Sequence, residues 1–355
     1  MNYRWGYCFF KGEIIVIEKI KIENLTVFED LEINTNFPIN VFIGENGTGK
    51  TQLLKFIYLA CFGPVTFLDS KTSTAYPFAK KLLGRCGSEL VRDNELANSS
   101  FKIFSNTEVI AGYTIEKNKE KFGPFSTKIK LDDIRKNLVF IPAKDMLTHS
   151  KGLPAMKKEY GTNMPFDESY INIIEKASKW NKKDVPRIAK NIVPMLEDVM
   201  DGTVEIVNEV FYIKKRNGRM ISFDFEAEGI KKIGLLWQLL MSETITEGTI
   251  LLWDEPESSL NPKQTPIIAD ILLELSRNNV QIFLSTHSYF LSKYFNLLEM
   301  EDKDEVVFHS LYKEDDNEDR PVICETSDTF SMLANNDIID EKIRIYDTEV
   351  EWVFL

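Results

Sequence analysis

The sequence predicts an α/β fold: a mixed, mainly parallel core sheet built around a phosphate-binding loop, with an antiparallel β lobe and a helical insertion. Three observations predict it. Gly44-Glu45-Asn46-Gly47-Thr48-Gly49-Lys50-Thr51 fits G-x-x-x-x-G-K-[ST] and lies between the apolar run Ile39–Ile43 and an amphipathic stretch, residues 51–59. Residues 249–253 form a continuous apolar run that ends in Asp254-Glu255-Pro256-Glu257, and Gln281–Ser285 forms another that ends in Thr286-His287-Ser288. Short unbroken apolar runs are the mark of parallel strands buried on both faces, and ligand sites in such sheets gather at strand carboxyl ends.

Taken in order, residues 1–13 carry a short aromatic run without an apolar stretch long enough for a signal peptide, and read as an extension. Residues 14–20 read as the first strand, its alternation continuing to Phe28. Ile39–Ile43 is a buried strand, and the loop after it is a phosphate cradle. Its glycines let backbone N–H groups approach a nucleotide, with Gly44, Asn46, Gly47, Thr48, Gly49 and Gln52 around the ATP phosphates. Lys50 reaches the β- and γ-phosphates, and the Thr51 hydroxyl holds Mg²⁺. Residues 64–137 contain short strands broken at Asn106, Asn118 and Gly123, and complete the antiparallel lobe. Residues 138–146 are a buried strand running into Lys144-Asp145. Residues 147–202 are the helical insertion, with pieces at 156–160, 170–180 and 185–199 and no sustained heptad. Residues 203–225 read as strands at 204–207, 211–213 and 220–225 around a turn at Asn217-Gly218. After the strand at 249–253, Asp254 holds Mg²⁺ and Glu255 polarises the attacking water as general base. A helix over 266–277 leads to Gln281–Ser285, and His287 stands where a side chain touches the γ-phosphate. Residues 314–319 are an exposed acidic loop, and 338–352 a closing amphipathic helix. The expected division is 1–13, 14–146, 147–202 and 203–355.

The chain has 355 residues, 43% of them apolar, enough for one large core. Its net charge of −12 argues against wholesale wrapping of nucleic acid. Two basic clusters stand against that background: Lys176, Lys179, Lys182, Lys183, Arg187 and Lys190, and Lys214, Lys215, Arg216 and Arg219. They are read as solvated charge, lacking aromatic interleaving and any known DNA-binding motif, with a nucleic-acid or partner contact as the alternative. Cys8, Cys61, Cys86 and Cys324 show no metal-site spacing and read as reduced thiols in a cytoplasmic protein. No apolar stretch approaches the roughly 20 residues a bilayer span needs, so no membrane is expected.

Together, the phosphate loop, the strand ending in Asp254-Glu255 and the run Pro256-Glu257-Ser258-Ser259-Leu260-Asn261-Pro262 resemble the ABC-type ATPase heads. The likeness is to the bacterial branch with RecF, SMC-like and overcoming-lysogenization-defect ATPases, known broadly as AAA-family ATP-binding proteins. The resemblance implies a D-loop with Ser258, Ser259 and Asn261, His287 as switch histidine, and a signature motif that completes the partner's site. The signature candidate is Ala227-Glu228-Gly229 before the helical run 233–240. Ala227 stands where the family has a serine and Glu228 where it has a glycine, which leaves Gly229 and a helix N-terminus. An ordinary helix start after a hairpin is the alternative. The chain's glutamines, Gln52, Gln238, Gln264 and Gln281, offer none for a Q-loop, and residues 138–146 with Lys144 or Asp145 are the substitute.

The resemblance implies an ATP-hydrolysing homodimer that sandwiches two ATP and Mg²⁺. It further implies control of a separately encoded effector, a nuclease or toxin, in bacterial defence against phage or foreign DNA, because the stretch after His287 is short for a nuclease domain. The alternatives are a low-turnover ATP-gated scaffold, to which the altered signature points, and a RecF-like repair ATPase that binds DNA. A transporter ATPase fits least, given the long interval between Lys50 and Gly229.

Overall fold

The computed structural model describes residues 14–62, 90–93, 98–116, 119–123, 131–145, 147–160, 166–299, 305–314 and 320–354. The expectations for residues 1–13, Asn118, Met146 and residues 315–319, and those for Cys8 and Cys86, lie outside them. The central element is a six-stranded sheet of order β14-β13-β3-β12-β11-β7. Its strands are β3 (Ile39–Ile43), β7 (Leu138–Ile141), β11 (Ile250–Asp254), β12 (Gln281–Ser285), β13 (Val306–Tyr312) and β14 (Ile323–Ser327). All neighbours pair in parallel except β14, which runs antiparallel on the edge. Every residue of β3, β7, β11 and β12 is buried, which explains their mainly apolar sequences.

Successive side chains of a strand point to opposite faces, and the two faces of this sheet feed two cores. Phe42, Leu252 and Phe283 face α1 (Lys50–Phe62) and, beyond it, the antiparallel sheet. Val41, Trp253 and Leu284 face the other helices. These are α3 (Leu153–Tyr160), α4 (Glu168–Ala177), α5 (Ile192–Met200), α6 (Glu228–Met241), α7 (Thr265–Arg277) and α8 (Tyr289–Glu299); α2 (Leu131–Asn137) leads into β7, and α9 (Asp337–Phe354) closes the described chain. Leu153, Ile171, Ile174 and Leu196 share one buried cluster with Val41 and Trp253, so helices α3, α4 and α5 pack directly on the core sheet.

The antiparallel sheet has order β2-β1-β4-β5-β6, from β1 (Lys19–Leu25), β2 (Phe28–Asn34), β4 (Asn98–Ser105), β5 (Glu108–Glu116) and β6 (Lys119–Gly123). A third sheet joins β8 (Gly202–Val207), β9 (Val210–Lys215) and β10 (Met220–Ser222). Five boundaries differ from the sequence expectation. The first strand begins at Lys19, because the Ile17 backbone is taken up by the Gln281 side chain (N–H to Oε1, 2.8 Å; Nε2 to O, 2.9 Å) in place of a ladder partner. It ends at Leu25, where Asn24 and Thr26 take positive φ and turn the chain so that Phe28 starts the next strand. Residues 223–225 form a 3₁₀ turn, capped by the Ser222 side chain accepting from the Asp224 N–H, and do not extend the strand. The helix expected to reach Trp180 stops at Ala177, and the piece expected from 185 starts as a 3₁₀ turn at Arg187–Ala189, with Pro186 as its N-cap, ahead of α5 at Ile192.

Candidate nucleotide site

Because β3, β11 and β12 are parallel neighbours, the loops after them open at one edge. The ladder continues one bond past each strand: Glu255 N–H donates to Ser285 O, and Thr286 N–H to Phe42 O, both at 3.0 Å. This registers three chain-distant segments against each other before any side chain contributes.

The loop after β3 is fixed by its glycines. Gly44 sits at φ +137° with its missing Cβ 2.1 Å from Leu311 O, and Gly49 at φ +89° with its missing Cβ 2.7 Å from Phe28 Cζ. Only glycine fits either place. Glu45, Asn46 and Gly47 are exposed at the rim, Thr48 is buried and donates to Glu45 O at 2.9 Å, and Thr51 and Gln52 open the first turn of α1 toward solvent. Lys50 is buried and donates from Nζ to Gly44 O at 2.8 Å and Glu45 O at 2.6 Å. Burial lowers its pKa to about 8, against the opposing pull of Asp254 and Glu255.

Thr51 Oγ1 lies 3.0 Å from both carboxylate oxygens of Asp254, which is buried and also accepts from Ser285 Oγ. Hydroxyl and carboxylate oxygens are the donor set Mg²⁺ takes, so these residues fit that ion. Glu255 follows at φ +49°, a left-handed conformation rare for a glutamate, and its Oε1 lies 3.9 Å from His287 Nε2. Burial, then the Lys50 charge, lowers the His287 pKa and favours the neutral ring. Glu257 accepts from Thr286 Oγ1 at 2.6 Å, burial raises its pKa, and its other oxygen, Oε2, is buried without a hydrogen bond. Lys50, Thr51, Asp254, Glu255 and His287 are thus brought together with the loop glycines.

The signature candidate is elsewhere. Ala227 is the N-cap of α6 without a side-chain cap bond, and Glu228 is exposed and pairs with Lys231 at 2.6 Å. Gly229 packs on the same chain's 258–260 turn, its missing Cβ 2.6 Å from Ser259 O. Among the described residues, no hydrogen bond or ion pair joins these three to the phosphate loop. In the D-loop region Ser259 has φ +66°, and Asn261 caps a 3₁₀ turn by accepting from Lys263 N–H at 3.0 Å. Asp145 accepts from Leu147 N–H at 3.1 Å, leaves Oδ2 buried without a hydrogen bond, and has its pKa raised by burial. Lys144 is exposed.

One participant was missed by sequence reasoning. Lys232, buried in the first turns of α6, donates to Glu255 O at 2.8 Å and to Ser258 Oγ, and so ties the helix to the backbone of the Asp254-Glu255 segment. Its signal was a lysine pair, Lys231-Lys232, opening an otherwise apolar helix.

The family described as "AAA domain, putative AbiEii toxin, Type IV TA system" matches residues 102–293. The chain belongs to that family. Its fold is that of ABC-type P-loop heads, and it is similar to members of the SMC/RecF class. It is similar to the DNA replication and repair protein RecF of Clostridioides difficile, 26% identical over 214 residues, which cover 57% of this chain and 52% of that one. It is also similar to the DNA double-strand break repair Rad50 ATPase of Methanopyrus kandleri, 50% identical over 52 residues, 15% of this chain and 6% of that one. The AAA-family head therefore spans about half the length of its RecF relative. In fold it resembles an Smc head bound to the C-terminal winged-helix domain of ScpA, with TM-score 0.54 and 12% identity over 88% of this chain and 97% of that one. Among the described residues, no helix of the head is long and apolar enough to cross a membrane.

Proposed function

We propose that this head binds and hydrolyses ATP with Mg²⁺, closes as a homodimer on two sandwiched ATP molecules, and controls a separately encoded effector in bacterial anti-phage or foreign-DNA defence. The observation that carries the hydrolytic reading is the meeting of Lys50, Thr51, Asp254, Glu255 and His287 at one sheet edge, with Thr51 3.0 Å from both Asp254 oxygens. The loop amides from Gly44 to Gln52 receive the phosphates, and Lys50 turns from the Gly44 and Glu45 carbonyls to the β- and γ-phosphates. Mg²⁺, held by Thr51 and Asp254, supplies polarisation of the phosphate oxygens. Glu255 takes the proton of the attacking water, and neutral His287 donates a hydrogen bond to the γ-phosphate. Ala227, Glu228 and Gly229 of one protomer meet the nucleotide of the other, with Ser258, Ser259 and Asn261 along the same seam. The division at residues 146 and 202 belongs to this reading.

A low-turnover scaffold is the second reading, favoured by the exposed Glu228 carboxylate at the helix end meant for a phosphate. The likeness to RecF supports a third, a repair ATPase that binds DNA. The test is light-scattering mass of Glu255→Gln protein with and without ATP and Mg²⁺, beside the phosphate release of wild type. A doubled mass with ATP, and wild-type turnover that the substitution abolishes, is the expected result. Turnover unchanged by Glu255→Gln would sink the hydrolytic reading, and an unchanged mass the closing dimer.

A further inference from the structure

Residues 178–186 form an irregular loop between α4 and the 3₁₀ turn, at the amino-terminal edge of the core strands and so across the sheet from the nucleotide site. Three observations set this loop apart. Trp180 is 95% exposed, more than any other exposed large hydrophobic among the described residues, so both faces of its indole are free. The backbone that carries it is held: Gln238 Nε2 donates to Ala177 O at 2.8 Å and to Lys179 O at 3.1 Å, and Lys182 N–H donates to Met241 O at 2.8 Å. The same stretch of chain carries exposed Lys179, Lys182, Lys183, Arg187 and Lys190, with Asp184 the one acid between residues 178 and 191, while Arg187 also lines a surface hollow with Glu243 and Glu247. Lys182 pairs with Glu243 at 2.9 Å, and among the described residues none of the other four has an ion pair.

The second basic cluster differs. Lys214, Lys215 and Arg216 pair with Glu205, Glu226 and Asp198. Lys176, first in the sequence run, is half-buried and donates to Leu138 O. The other highly exposed tryptophan, Trp352, lies on α9, which carries six acids against Lys342 and Arg344. Of the two highly exposed tryptophans among the described residues, Trp180 alone lies in a run of cations mostly without ion pairs, on a chain whose net charge is −12.

We infer that the Trp180 loop is a docking site for single-stranded nucleic acid, one base stacking on the indole while Lys179, Lys183, Arg187 and Lys190 contact the flanking phosphates. Stacking requires a base free of its own neighbours, which a single strand offers and a duplex withholds; phosphate contacts supply the sequence-independent attraction. The site is separate from the nucleotide edge, so its failure and a failure of ATP turnover are distinguishable.

The experiment is fluorescence anisotropy of labelled dT20, rU20 and a 20-base-pair duplex with the full chain, without nucleotide, over a salt series. Both W180A and W180F alter only an exposed side chain, and ATP turnover of each is the control for folding. Wild type is expected to bind a single strand more tightly than duplex, W180A to bind it about ten-fold more weakly, and W180F to retain most of the affinity. K179A/K183A is expected to flatten the slope of log affinity against log salt by about 1.4, at roughly 0.7 per phosphate contact. Preference for dT20 assigns DNA, for rU20 RNA, and equal binding a stack blind to the sugar. No binding at low salt, W180A binding like wild type, or duplex bound as tightly as single strand overturns the inference, as does a protein partner lost in W180A without any oligonucleotide binding.

Discussion

The charge of Lys50 should make nucleotide affinity depend on pH. Buried under its own loop, the ammonium has its pKa lowered to about 8 by desolvation. A bound triphosphate favours the charged amine, so affinity follows the fraction of Lys50 that is protonated in the empty protein. With a pKa near 8, that fraction is about 0.9 at pH 7 and about 0.1 at pH 9. Affinity should fall about ten-fold across the interval, ~1.4 kcal/mol, and binding at pH 9 should take up about 0.9 proton. The assay is titration of a fluorescent ATP analogue into Glu255→Gln protein at pH 7, 8 and 9, with calorimetry in two buffers of different ionisation heat to count protons. Equal affinities at pH 7 and 9 with no proton uptake would refute the argument that burial sets the charge of this lysine.

Gly44→Ala places a Cβ 2.1 Å from Leu311 O at φ +137° and should cost more than about 3 kcal/mol in chemical denaturation. Gly47→Ala, at φ +85° with nothing within 4 Å, should cost only about 1 kcal/mol. His309 is fully buried between Asn40 and Thr326, and burial lowers its pKa to about 3. Its folded pKa lies below the unfolded value, so its stability is present above pH 6.5 and lost as pH falls toward 3, at up to about 1.4 kcal/mol per unit. Denaturation midpoints should therefore drop more steeply from pH 6.5 to 4.5 in wild type than in His309→Gln. Lys232→Met releases the Glu255 carbonyl and should lower ATP turnover about ten-fold while nucleotide affinity changes little; unchanged kcat would deny the lysine a positioning role.

The core sheet was legible in the sequence because β3, β11 and β12 each carry a short, mainly apolar run, and the phosphate loop because glycine spacing and Lys50-Thr51 leave few other readings. Helix ends were less legible. The stop at Ala177 depends on Gln238 and Met241 holding the following backbone, contacts some 60 residues distant that no local pattern announces. The start of β1 likewise depends on Gln281, far along the chain. Lys231 and Lys232 open an otherwise apolar helix and are both buried, Lys231 against Glu228 of its own helix and Lys232 against the Glu255 carbonyl and Ser258, partners no local pattern announces. One misreading concerned the tryptophan: Trp180 reads as part of an apolar helical stripe until the helix is seen to end three residues earlier.

The strand order has a consequence for how the chain is made. β3, near the amino end, lies between β12 and β13, both from the last third of the sequence. During synthesis the five residues of β3 emerge long before either neighbour exists, and parallel pairing over such separations is slow. The nascent amino-terminal half therefore carries an unpaired strand edge ahead of the phosphate-loop sequence, a segment prone to association with other chains. Cutting the chain ahead of residue 281 leaves that edge bare permanently, so fragments that keep the loop intact by sequence should aggregate before they bind nucleotide.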